Sequence, residues 1–160
     1  MFNLFKKQTS PQPEVMGAGK QIIIALKDKV IPELRKNGFT GSYPHFLRAS
    51  KEKIDLLSFQ FNKYGGSFTI EISAAYPNRN EYKNFYLVGD KTINDLKSSN
   101  TFVRYRLGET DGDHWFEFNQ NNIDEIIGQV LKLLPLAYQW WDNPPIMEKL
   151  EQRKKQGVSY

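Results

Sequence analysis

Two runs in which apolar and polar residues alternate, 53–64 and 67–76, flank the dipeptide Gly65-Gly66. A period of two is that of a β-strand with one face buried, and a glycine pair between two such runs is what a tight reversal selects. Counting outward from a two-residue turn pairs Phe61 with Ile70, Phe59 with Ile72 and Leu57 with Ala74 on one face. The opposite face then pairs Asn62 with Thr69, Gln60 with Glu71 and Ser58 with Ser73. Residues 101–118, TFVRYRLGETDGDHWFEF, repeat the pattern about Asp111-Gly112, with Leu107 opposite Phe116, Tyr105 opposite Phe118 and Arg106 opposite Glu117. A slip of one residue would exchange the faces of a strand. Two runs that divide the same way therefore predict an antiparallel sheet with one apolar and one polar face.

Helices supply the cover for the apolar face. Over 20–37 the residues Ile23, Leu26, Val30 and Leu34 recur at helical spacing, with Asn37-Gly38 as the stop and Pro32 predicting a kink or a break. Over 122–143 a stronger stripe of Ile123, Ile126, Ile127, Val130, Leu131, Leu134 and Tyr138 follows Asn122, which forms a capping signature with Glu125. Pro135 should bend this helix near its end, and Asn143-Pro144-Pro145 should end it. A short strand is expected from His45 to Ser50 and a helical turn near 92–97, while Trp140-Trp141 is assigned to core and rim packing. The expected fold is α+β: one domain, four to five antiparallel strands in two hairpins, with N- and C-terminal helices on one face. The expected divisions are a flexible arm at 1–17, the domain at 18–143 and a charged helix or tail at 144–160.

Charge and cysteine content narrow the function classes. The chain of 160 residues carries a formal charge of +4, but residues 21–145 hold 15 basic and 15 acidic residues, so the excess sits at the two ends. A duplex-binding domain needs a basic face to displace phosphate counterions, and nucleic acid is therefore not the expected partner. With no cysteine, thiolate chemistry and thiolate zinc sites are excluded. No apolar stretch reaches the length of a membrane span, and the expectation is a soluble protein of a reducing cytoplasm. Gly17-Ala18-Gly19-Lys20 lacks the preceding strand, the first glycine and the hydroxyl of a phosphate loop.

Three segments carry a family resemblance. Leu34-Arg35-Lys36-Asn37-Gly38-Phe39 followed by His45-Phe46-Leu47-Arg48, then Ser58-Phe59-Gln60-Phe61-Asn62 through Ile72, then Arg104-Tyr105-Arg106-Leu107-Gly108 through Asp113-His114-Trp115-Phe116, together resemble a bacterial domain-of-unknown-function family, DUF4304. The resemblance spans most of residues 20–142. It implies an α+β fold and assigns no activity.

The polar face supplies the candidate site. Gln60, Glu71, Arg104, Arg106, Trp115 and Glu117 are expected there, and two arginines two residues apart on a strand point the same way. Guanidinium forks suit bidentate recognition of carboxylate or phosphate. The competing reading pairs Arg106 with Glu117, and Arg104 with Glu71 or solvent, as ordinary cross-strand ion pairs. No cofactor is expected. Asp111, Asp113 and His114 are residues a tight turn selects and too few donors for a metal site, and no catalytic residue is assigned. The expected function is a non-enzymatic binding or interaction module whose partner is a protein or a small anionic ligand. The alternative is a small hydrolase or transferase that uses Glu71, Glu117 and the arginines of the same face.

Overall fold

The computed structural model describes residues 15–78, 95–108 and 113–157. Steps of four between Ile22, Leu26, Val30 and Leu34 shape the first helical segment, and all four are fully buried. Four residues overshoot an α-turn of 3.6, so an ideal helix would rotate this stripe away from the sheet. The chain absorbs the excess with a π-helical turn, Leu26–Val30, between α1 (Ala18–Ala25) and α2 (Ile31–Lys36). The Ile31 N–H reaches back five residues to the Leu26 carbonyl. Pro32 therefore does not break the segment as expected. It lies in the first turn after the π-turn, where its missing donor costs least. Gly38, at φ +87°, closes α2, with the Phe39 N–H bonded to the Leu34 carbonyl, as the Asn37-Gly38 stop predicts.

Six strands follow among the described residues: β1 (Thr40–Ser42), β2 (His45–Ala49), β3 (Ile54–Phe61), β4 (Ser67–Ala75), β5 (Arg104–Arg106) and β6 (Phe116–Glu117). All pairings are antiparallel, β1 to β5 lie in chain order across the sheet, and β6 also pairs with β4. Between β4 and β5 a 3-10 turn forms at Ser98–Asn100; of the helical turn expected near 92–97, residues 92–94 lie outside those described and Asp95 is in 3-10 conformation.

The β3–β4 register differs from the count by two. Phe61 faces Phe68, Phe59 faces Ile70, Leu57 faces Ile72 and Ser58 faces Glu71. The reversal uses residues 63–66, with Asn62 bonded to Ser67 and with Gly65 and Gly66 both at positive φ, so the turn holds four residues rather than two. An even slip leaves every side chain on its face. Phe59, Ile70 and Ile72 are accordingly buried as expected.

The second hairpin is not formed. β5 pairs with β4, Glu71 facing Arg106 and Ser73 facing Arg104, while β6 pairs with β4 further along, Ser67 facing Glu117 and Phe68 facing Phe116. The Leu107 N–H bonds to the Ile70 carbonyl, so only Thr69 separates the β4 residues that hold the two pieces. β5 and β6 are thus successive parts of one interrupted edge, and the Asp111-Gly112 turn falls outside the described residues. Leu107 and Phe116 reach the same core by different partners than the count gave, since the alternation of either run fits pairing with β4 equally well.

Helix α3 (Ile123–Asp142) runs through Pro135 and buries Ile126, Ile127, Val130, Leu133, Leu134, Ala137 and Trp141. These pack with the α1–α2 stripe over Leu57, Phe59, Phe68, Ile70, Ile72, Leu107, Phe116 and Phe118. Asn122 precedes α3, but its amide turns backward: Oδ1 accepts from the Asn119 N–H and Nδ2 donates to the Glu117 carbonyl. The expected capping box with Glu125 is therefore absent.

The second face of the sheet is less open than the alternation implies. Ile54, Leu56 and Ala75 form a smaller core with Leu96, Val103 and Ile146, the first residue of α4 (Ile146–Lys155). The N-terminal helical segment and α3 share one face as expected, while α4, expected as a charged helix or tail, adds Ile146 to the cover of the other. The cause is visible in Ile54-Asp55-Leu56-Leu57 and Ala74-Ala75, where the β3–β4 pair turns apolar on both sides.

Candidate functional site

Register builds the site. His45 faces Ser58, Ser58 faces Glu71 and Glu71 faces Arg106, so four polar side chains stand in one row across β2, β3, β4 and β5 on the second face. Neighbouring strands lie about 4.8 Å apart, within side-chain reach. The Glu71 side chain is only 8% exposed and accepts from Arg104 Nη1 at 2.9 Å, whereas Arg104 is 44% exposed. Arg106, 30% exposed, is paired with Asp113 through Nη1, and its guanidinium lies 5.3 Å from the centre of the Trp115 ring. Each guanidinium thus binds a carboxylate through one nitrogen among the described residues, and a guanidinium has five N–H donors.

His45 Nδ1 lies 2.9 Å from Ser58 Oγ. Burial, and secondarily the positive charge of Lys97, lower the His45 pKa below its ordinary value, which favours the neutral ring. Ser58 is itself buried, so this contact is an internal hydrogen bond that fixes the row. Because the folded state holds His45 below the unfolded value of about 6.5, the unfolded chain binds more protons as pH falls. The His45 contribution to stability is therefore complete above that value and is lost as pH drops through the folded pKa. Unfolding free energies measured between pH 7.5 and 5 should fall more steeply for the parent than for His45→Gln. Parallel curves would contradict this assignment.

Of the residues expected at the site, Glu71, Arg104, Arg106 and Trp115 come together. Gln60 shares their face opposite Thr69 and is exposed. Glu117 is opposite Ser67, four residues along β4 from Glu71, about 13 Å at the rise of an extended strand. Asp113 takes the place expected for Glu117 beside Arg106, because β6 does not pair with β5. Arg104 with Glu71 is the pair that ordinary cross-strand reasoning anticipated. His45 was missed, since only the β2–β3 and β3–β4 registers together set it in one row with Ser58 and Glu71. Along β4, Thr69 Oγ1 and Ser73 Oγ flank Glu71, both fully buried and without a hydrogen-bond partner among the described residues.

Of the metal candidates, Asp113 is held by Arg106 and His114 packs edge-on against Phe116, with centroids 4.6 Å apart, while Asp111 lies outside the described residues. Among the described residues, no three His, Asp or Glu side chains gather in a way that could hold an ion. No described helix is long and apolar enough to cross a membrane. Beside the arginines an open cleft of about 260 Å³ runs between β5 and α4. Arg104, Tyr105, Trp140 and Lys149 are among its walls, and Tyr105 and Trp140 stack at 6.4 Å.

No curated protein and no solved structure gives a significant match. The model of one family, "Domain of unknown function (DUF4304)", matches residues 30–143, a span that holds α2, all six strands and α3. The resemblance carried by the arginine strand and its neighbours is thus matched over most of the chain, which belongs to this family of unknown function.

Proposed function

We propose that the chain is a non-enzymatic binding module whose second sheet face, around Arg104, Arg106 and Trp115, receives an anionic group of a protein partner or small ligand. One observation carries the reading: each guanidinium is oriented by a single carboxylate contact, Arg104 by Glu71 and Arg106 by Asp113, yet both stay partly exposed. A guanidinium already held in place binds a carboxylate or phosphate with less loss of side-chain freedom. Trp115 behind Arg106 favours the same fork orientation through its ring face. Gln60 adds a donor on the open side of the face, and Glu117 lies at its rim. Separation of Glu71 from Glu117, and the engagement of Glu71 by Arg104, favour binding over the acid–base alternative. The absence of cysteine is compatible with work in a bacterial cytoplasm.

The test is a titration followed through the arginine Nε–H and tryptophan indole resonances, with inorganic phosphate and N-acetylglutamate as probes. Arg104, Arg106 and Trp115 are expected to shift together, and the shifts should vanish in Arg104→Gln/Arg106→Gln. Glutamine is preferred to alanine because Glu71 is buried and would otherwise lose its only donor among the described residues. Probes that shift other residues and leave these three unmoved would overturn the reading.

A further inference from the structure

β5 is the edge of the sheet path, and its hydrogen-bond phase is fixed. Leu107 donates to Ile70, so in an antiparallel ladder Tyr105 also bonds toward β4, whereas the N–H and C=O groups of Arg104 and Arg106 point away from it. No described residue bonds to those groups. Facing this edge across the cleft is one side of α4. Lys149 and Gln152 come from the helix, Arg104 and Tyr105 from the strand, and Trp140 and Pro145 join them in the lining. The lining includes two cations and no acid. A slot between an edge strand and a helix, with free backbone donors and acceptors on the strand, is the geometry in which an extended peptide adds to a sheet.

We propose that this slot binds an extended acidic peptide segment of a partner protein by strand addition to β5. The proposal rests on the arginine face being a binding face, and it names the partner class. A segment paired with β5 would place alternate side chains beside Arg104 and Arg106 on the second face and the intervening ones against Tyr105 and Trp140. The matching pattern is acidic residues alternating with apolar or aromatic ones. Charge complementarity favours an acidic segment over a second copy of this chain, since antiparallel self-pairing centred on Tyr105 would set Arg104 against Arg106 twice on one face, and directly opposed like charges destabilise a ladder.

The experiment is selection from a displayed library of random peptides of about eight residues, the length of an ordinary strand, against the full chain. Enriched sequences should alternate acidic and apolar residues. N-methylation at every second position, on the groups facing β5, should weaken binding about tenfold or more, while N-methylation at the other positions should not, because only one set of amides reaches the strand. Arg104→Gln/Lys149→Gln should weaken binding of the same peptides. Enrichment of sequences without acidic residues, no enrichment, or equal effects of both N-methylation patterns would overturn strand addition. If phosphate and N-acetylglutamate still titrate the arginines in that event, the binding reading of the face stands and only the peptide mode falls. If they do not, both fall.

Discussion

Trp141→Ala should lose about 3 to 5 kcal/mol of stability, the range for removing a large buried aromatic side chain. Trp141 is fully buried where three parts of the chain meet. Its ring lies 4.9 Å from Phe39, at the end of the first helical segment, and 6.0 Å from Tyr138, one turn back on α3. Its indole N–H donates to the Ser73 carbonyl of β4 at 2.9 Å, tying the end of α3 to the sheet across 68 residues of sequence. Denaturant unfolding with an unchanged m-value would measure the loss. Trp141→Phe, which keeps a ring and removes the N–H, should lose far less. Equal losses would mean that the hydrogen bond and not the packing carries the effect.

A second large loss is expected at Asp55. This carboxylate is 5% exposed and accepts from Arg48 Nε at 2.9 Å, with Arg48 Nη2 at 2.8 Å and Lys53 on its other oxygen. Arg48 in turn lies over three rings, its guanidinium carbon 4.9 Å from Phe39, 5.7 Å from Trp141 and 5.9 Å from Tyr138, and it donates to the Asn37 carbonyl. Asp55→Ala removes the counter-charge from a cation held among aromatic rings, for which a loss of about 2 to 3 kcal/mol is expected, since both cations keep some solvent contact. Arg48→Met/Asp55→Ala should be less destabilised than the sum of the single variants, as coupled neighbours are. Strict additivity would show that the two side chains do not act as a pair.

The Arg48–Asp55 cluster was not read from the sequence, and of the other only the assignment of Trp140-Trp141 to core and rim packing was, although the fold class and the core face were read. Alternation assigns a face to Phe59, Ile70 and Ile72 whatever the partner strand, because a face depends only on parity, which the two-residue error in the β3–β4 turn leaves intact. Partner choice is another matter. The alternation of 104–107 and 116–118 is satisfied by pairing with each other or with β4, and local pattern contains no term that separates the two. Glu117 was therefore set beside Arg106, where Asp113 lies instead. Arg104 and Arg106 were placed on a common face because they share one strand, and Glu71 reached them because its own parity was right. His45 required two successive registers, and Arg48 and Asp55 required a charged pair on the core side, which a binary apolar and polar pattern cannot express.

The interrupted edge has a consequence for how this chain tolerates change. Leu107 and Phe116 are anchored to Ile70 and Phe68, so the ends of the intervening segment are fixed by the same strand and almost at the same height on it. Closing a longer loop between fixed ends costs only about 0.6 kcal/mol for each doubling of length. The chain can therefore take insertions between Gly108 and Asp113 while Asp113 and Trp115 still hold Arg106, and Arg104 and the core strand beneath keep their places. The site would then vary along its open border, with the sheet itself unchanged.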